Sequence, residues 1–161
     1  MTRTAYLVDI HIAPVTVDRI LDLRHRILRA GLPVETANFE GDEGPHTTHY
    51  AAFLRNGEGK PGGRPICCAS FMLNMYEQVP AWQLRGMATE ETYRSHGVGR
   101  ELLATAEREL CAYPVYAHIK MMWCNAREPA VKFYERNGWR CVSDVFDIPT
   151  AGPHRKMIKQ L

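Results

Sequence analysis

The sequence reads as an α/β (α+β) chain, a single domain over residues 1–161 with a mixed, mostly antiparallel sheet of about seven strands and about four flanking helices. Three observations predict this class. Short apolar runs rich in β-formers recur between polar turns. Segments opening near Val98 and Ala130 carry apolar residues at helical spacing. Strand-like runs at 47–55, 66–77 and 82–88 follow one another through short connections, which argues for an antiparallel meander. At 161 residues, 45% hydrophobic and 24% charged, the chain can bury a real core. A net charge of +2 with both signs interspersed offers no broad basic surface, so nucleic acid is not an expected partner.

The elements follow in order. Residues 4–12 are apolar and β-prone, and read as a first strand that Pro14 ends. Thr16 suits an N-cap with Asp18 in the first turn. Ile20, Leu23, Ile27 and Leu28 then share a helix face, while Arg19, Arg24, Arg26 and Arg29 face elsewhere. Gly31 and Pro33 stop that helix. Residues 35–44 are acidic and irregular, with room for one helical turn. Their Glu35, Glu40, Asp42 and Glu43 either attract a cationic amine or form a solvated loop.

Residues 47–55 form the second strand, and the run NGEGKPGGRP at 56–65 is an exposed, glycine-rich connection. It lacks the leading glycine and the Ser or Thr of a phosphate-binding P-loop. Residues 66–77 are apolar on both faces, hence central. Val79-Pro80 turns into the strand at 82–88. A helix opens at Val98, with Leu102, Leu103, Ala106 and Leu110 on its buried face. Pro114 marks a boundary, and 115–124 reads as a strand. A helix at 130–137 has Pro129 near its first turn and Gly138 past its end. Residues 139–146 alternate like a strand, 147–153 form a loop, and 154–160 read as a final edge strand.

Asp9 and His11 interrupt the first apolar run, so no signal-peptide core is expected there. No apolar stretch is long enough to cross a bilayer, and the expected location is cytoplasmic, with no membrane partner. Five cysteines without a CxxC pair are expected as buried, reduced thiols, with Cys67 and Cys68 on opposite strand faces. His46 and His49 lack a third ligand at suitable spacing, so no metal is expected.

Chemistry concentrates in two segments. Arg94-Ser95-His96-Gly97-Val98-Gly99 leads straight from a polar turn into a helix. Its glycines stand where free backbone N–H groups and the positive end of the helix dipole gather, a setting suited to phosphate oxygens. Arg94 and Arg100 add positive charge. The second segment, CNAREPAVKFYERNGW, runs from Cys124 to Trp139.

Arg-x-x-Gly-x-Gly after a strand resembles the acyl-coenzyme A loop of the GCN5-related N-acetyltransferases. The second segment resembles the late pattern of the same family: Asn125 at a strand end, Ala130, Phe133, Tyr134 and Glu135 in the next helix, then Gly138 and Trp139. The resemblance covers the chain in element order, with its motifs spanning mainly 87–139. Departures are small: Glu91 stands where many members have Pro, Thr89 where Val is usual, and Ser95 and His96 fill variable positions. The runs LRHRILRAGLP and GPHRKM resemble an uncharacterised bacterial subgroup, which names no substrate.

The resemblance implies a sheet splayed between its fourth and fifth strands, with acetyl-CoA as cosubstrate and no metal. Pantetheine would bond to backbone at Met87, Ala88 and Thr89, and to Asn125. The pyrophosphate would lie on the amides of Arg94, Ser95, His96, Gly97, Val98, Gly99 and Arg100. A backbone N–H near Thr89 would hold the oxyanion, and Tyr134 would protonate the leaving thiolate close to the bound cofactor. Asn125 also reads as an ordinary strand-end turn residue, and Tyr134 as a core aromatic. For the base the sequence does not choose among Glu77, His154, Glu90, Glu91 and a water chain. The implied reaction is acetyl transfer to a primary amine in a ternary complex. The alternatives are a catalytically silent coenzyme A-binding module and a dinucleotide-binding domain. The second lacks the expected acidic residue after the following strand. A homodimer through edge strands is frequent in the family, and nothing in the sequence fixes it.

Overall fold

In the computed structural model, which describes residues 8–55 and 61–161, eight strands form one open sheet. They are β1 Ile10–Val15, β2 Thr47–Arg55, β3 Pro61–Tyr76, β4 Val79–Thr89, β5 Met121–Arg127, β6 Arg140–Cys141, β7 Phe146–Ile148 and β8 Gly152–Gln160. The helices are α1 Leu21–Leu28, α2 Val98–Ala112 and α3 Val131–Arg136, with short 3-10 turns between elements. The strand order is β1-β2-β3-β4-β5-β8-β6, with β7 also paired to β8.

The described residues form two compact units. One holds those up to Ser70 together with Gly86–Ala106, and the other holds Phe71–Arg85 with Glu107–Leu161. In the first, Ile20 and Leu23 of the α1 region pack on Ala51, Phe53, Cys68 and Ala88. Burying a side chain such as Leu23 stabilises the fold by roughly 2 kcal/mol. In the second, Ala81, Trp123 and Ile158 form a core, and Trp82 meets Tyr116 edge-on at 4.9 Å.

Strands β4 and β5 run parallel but pair only at Trp82 with Met122 and Gln83 with Trp123. That is a short ladder for strands of 11 and 7 residues, as a splayed sheet requires. The alternation of β4 also slips. Gln83 shares a face with Asn74 through a 2.9 Å side-chain hydrogen bond, and Ala88 shares one with Cys68. Asn74 and Cys68 are an even number of positions apart on β3, whereas Gln83 and Ala88 are an odd number apart on β4. One extra residue therefore sits between them, a β-bulge, and Gly86 there has φ +59°.

Several expectations need correction. Pro14 does not end the first strand; it pairs with Tyr50 inside β1, at the sheet edge where a missing N–H is tolerated. Residues 4–7 of that strand and 56–60 of the glycine-rich connection lie outside the described residues. The strand expected at 66–77 already starts at Pro61. The turn before β4 is Glu77-Gln78, with φ of 45° and 67°, rather than Val79-Pro80. Residues 114–116 form a 3-10 turn instead of a strand, with the Ala117 N–H donating to the Pro114 carbonyl at 3.2 Å.

The strand read at 139–146 is two strands. Between them the Lys156 N–H donates to the Ser143 hydroxyl at 2.8 Å, which interrupts the ladder. The last strand is no edge: β8 lies between β5 and β6. Cys67, Cys68 and Cys124 are buried as expected, while Cys111 is exposed. Cys67 and Cys68 do face opposite ways, one toward the Thr89 hydroxyl and the other toward the Gly86 carbonyl.

Candidate active site

The first unit carries the strand end Met87-Ala88-Thr89 and the glycine-bearing turn. Beyond β4 a 3-10 turn at Glu91–Tyr93 leads to Arg94, and Ser95 and Gly97 take φ of 62° and 79°. His96 Nδ1 donates to the Arg94 carbonyl at 2.7 Å, which tightens the turn. The Gly97 carbonyl accepts the Glu101 N–H at 3.0 Å, so Gly97 acts as the N-cap of α2. The amides of Val98, Gly99 and Arg100 then have no acceptor within the helix. Residues 94–97 are exposed, and a Cβ on Gly97 would meet no atom within 4 Å. That leaves an open cradle of amides at a positive dipole end, with the Arg94 and Arg100 side chains beside it, which fits a diphosphate. Arg94 Nε donates to the Thr89 carbonyl at 3.3 Å, tying the turn to the strand end.

The second unit carries Asn125 within β5 rather than after it, directly opposite Lys156 of β8. The Asn125 Oδ1 atom is buried and has no hydrogen-bond partner. A buried acceptor left unpaired costs about 1–3 kcal/mol, so a donor from a bound molecule would relieve it. Tyr134 lies on α3, 7% exposed, edge-on to Phe133 at 5.2 Å and to Trp139 at 5.4 Å. The helix ends as its sequence suggests: Gly138 has φ +88°, and the Trp139 N–H donates to the Tyr134 carbonyl at 3.1 Å.

The candidate bases fall in different places. Glu77 is at the tip of the β3–β4 hairpin, at the other end of β4 from Thr89. Glu90 is held by Arg26 at 2.5 Å, and its own N–H donates to the Ile66 carbonyl at 2.8 Å. That contact, followed by a second one to Asp22, raises the Arg26 pKa. Glu91 is exposed. His154 is buried, pairs across the ladder with Arg127 and stacks on Phe146. Its Nδ1 donates to the Gly152 carbonyl at 2.7 Å, which leaves Nε2 as the basic nitrogen.

Spacing alone missed one constellation. Arg24, expected to face away from the core, is fully buried, and Asp42 of the acidic loop is its partner rather than a solvated charge. Arg24 also donates to the Ala37 carbonyl at 3.0 Å and to the Ser70 hydroxyl at 2.5 Å. The signal in the sequence was Ser70 and His49 within otherwise apolar strands, polar groups that need partners.

The first unit also has a cavity of about 380 Å³ between α1 and the start of β3, lined by Asp18, Arg19, Asp22, Arg26 and Arg64 among others. It includes no residue of the 87–100 segment. Among the described residues there is no group of three or more His, Cys, Asp or Glu placed to hold a metal, and no helix long and apolar enough to cross a membrane.

Comparison with known proteins gives a consistent result. A family profile described as an acetyltransferase (GNAT) domain matches residues 47–141. The chain is 32% identical over 155 residues to the uncharacterised N-acetyltransferase YitI of Bacillus subtilis, covering 94% of this chain and 97% of that protein. Among solved structures, the NatC complex bound to Gag peptide and CoA matches with a TM-score of 0.72 at 21% identity, over 95% of this chain and 99% of that one. An aminoglycoside 6'-N-acetyltransferase complexed with coenzyme A matches with a TM-score of 0.67 at 16% identity, over 93% and 96%.

Proposed function

Because the chain belongs to the GCN5-related N-acetyltransferase family, we propose that residues 1–161 are one catalytic domain that transfers the acetyl group of acetyl-CoA to a primary amine by direct attack in a ternary complex. The observation that carries this reading is the open turn at 94–97, whose following helix offers amides with no internal acceptor. The pyrophosphate lies on the amides of Arg94–Arg100, and the pantetheine arm bonds along Met87-Ala88-Thr89 in the manner of an added strand. The unpaired Asn125 Oδ1 accepts a pantetheine N–H.

The amine nitrogen attacks the thioester carbonyl, and a backbone N–H near Thr89 stabilises the oxyanion, a contribution of about 3 kcal/mol. As the C–S bond breaks, Tyr134 gives its phenolic proton to the thiolate. With an ordinary pKa of about 10, a tyrosine is still protonated at neutral pH and can donate. The amine loses its proton to a base, and we assign this to His154, whose Nε2 is left free to accept. Glu77 is the less supported choice because of its distance along β4.

The fold neighbours include one crystallised with a peptide and one named for aminoglycosides, so the fold leaves the acceptor open. The test is coenzyme A release from acetyl-CoA across amines, amino acids, polyamines and peptide N-termini. Release with at least one class is expected. Tight acetyl-CoA binding without release from any of them would favour a silent coenzyme A-binding module.

A further inference from the structure

Helix α1 places two arginines on either side of the Met87-Ala88-Thr89 segment. Arg24 lies against the bulge that precedes it. A Cβ on Gly86 would come within 2.5 Å of Arg24 Nε and 2.9 Å of the Phe39 ring, so the guanidinium fills the space that glycine leaves. The Phe39 ring packs against the guanidinium at the same place, with Arg24 Cζ 4.3 Å from its ring centre. Arg26, two residues on, holds Glu90 just after the segment at 2.5 Å.

The hydrogen bonds fix Arg24 rigidly. Arginine donates only, so the Ser70 oxygen accepts from Nη2 and its O–H is left to donate to His49 Nδ1 at 2.6 Å. His49 is then the Nε2–H tautomer, and it donates to the Asp42 carbonyl at 2.8 Å. The Asp42 carboxylate pairs with Arg24 and accepts the Phe39 N–H at 2.7 Å. The ring of contacts closes on itself. Burying a charge pair is a poor way to gain stability, because desolvation offsets most of the attraction. What such a network supplies is a fixed position.

We propose that α1 is a clamp that sets the position of Met87, Ala88 and Thr89, with Arg24 and Arg26 as positioning residues for acyl transfer. This rests on the proposed use of that segment to hold the thioester. Arg24 acts by filling the space at Gly86, and Arg26 by holding Glu90. Neither touches the amides at the start of α2, so loosening the clamp leaves the diphosphate contacts in place and lowers turnover more than cofactor affinity.

The test uses Arg24→Lys, which keeps Asp42 paired, together with Arg26→Gln, Glu90→Gln and the exchange Arg26→Glu with Glu90→Arg. In the first three, kcat falls ten-fold or more, while Kd for acetyl-CoA weakens by a clearly smaller factor, because the diphosphate amides are untouched. The two glutamine variants combined lose no more than either alone. The exchanged pair recovers most of the lost rate and keeps the pH profile, which a Glu90 general base would not allow. If folded Arg24→Lys or Arg26→Gln turns over at the wild-type rate, the clamp is wrong.

Should wild-type protein bind acetyl-CoA yet release no coenzyme A, transfer itself fails and the clamp is read from amide hydrogen exchange. Exchange at residues 87–89 then speeds up ten-fold or more in Arg24→Lys, with residues 102–106 unchanged. Equal exchange in both proteins overturns it. A wild type that does not bind acetyl-CoA sinks the functional reading, and the same exchange comparison still decides the clamp.

Discussion

Arg24 shows how far one side chain can escape the rule that charges stay outside. A fully buried guanidinium needs a carboxylate and acceptors, and Asp42, Ala37 and Ser70 supply them to the two Nη groups, while Nε is buried without an acceptor beside Gly86. Helical spacing assigned Arg24 to the solvent face because its partners lie 13, 18 and 46 residues away, beyond any local pattern. Gly86 was equally silent in the sequence, since one glycine inside a strand does not reveal what crosses it. Gly86→Ala, at φ +59° and within 2.5 Å of Arg24, is expected to lose about 2 to 4 kcal/mol in urea unfolding. Tyr134, by contrast, was legible through its motif. Tyr134→Phe removes one hydroxyl from an otherwise buried ring. It is expected to lower kcat by about 10² or more, as for loss of a general acid, with Kd for acetyl-CoA nearly kept. An unchanged kcat would remove Tyr134 from the reaction.

At the scale of elements, the long strongly patterned segments read well and the short ones poorly. Helix α2 starts at Val98 and buries Val98, Leu102, Leu103, Ala106 and Leu110 along one stripe, as its spacing predicts. Leu102→Ala removes a fully buried side chain and is expected to cost about 2 to 5 kcal/mol by chemical denaturation. Residues 115–120 read as strand because Val and Tyr favour strands locally, yet Pro114 opens a 3-10 turn and Tyr116 packs on Trp82. The break between β6 and β7 comes from a hydroxyl taking one ladder hydrogen bond, and no periodicity announces that. Strand order was the other hidden quantity. The chain ends on β8, but only long-range pairing with β5 shows it to be an interior strand.

Across the whole molecule, buried thiols set an alkaline limit. Desolvation raises Cys67 to about 11 and Cys68 to about 12 from an ordinary 9.0, and pushes Cys124 up as well. Above pH 9 the unfolded chain releases these protons while the folded chain keeps them, so stability falls as pH rises from 9 toward 11. The expected loss is about 1 kcal/mol per buried thiol by pH 10, read as a lower urea midpoint, with a shallower fall in Cys68→Ala. The family was legible because both of its motifs are contiguous in sequence, the glycine turn at 94–99 and the 124–139 segment. The acceptor was not, since the residues that meet a substrate need share no motif. The most direct test of the central claim, that the amides opening α2 hold the coenzyme A diphosphate, is calorimetric titration of acetyl-CoA into wild type and Gly97→Asp. Asp tolerates a positive φ better than most residues, and its side chain there enters open space, so the variant is expected to fold. Wild type is expected to bind clearly and the variant at least a hundred-fold more weakly; equal affinities for the two proteins would rule out a diphosphate at that helix start.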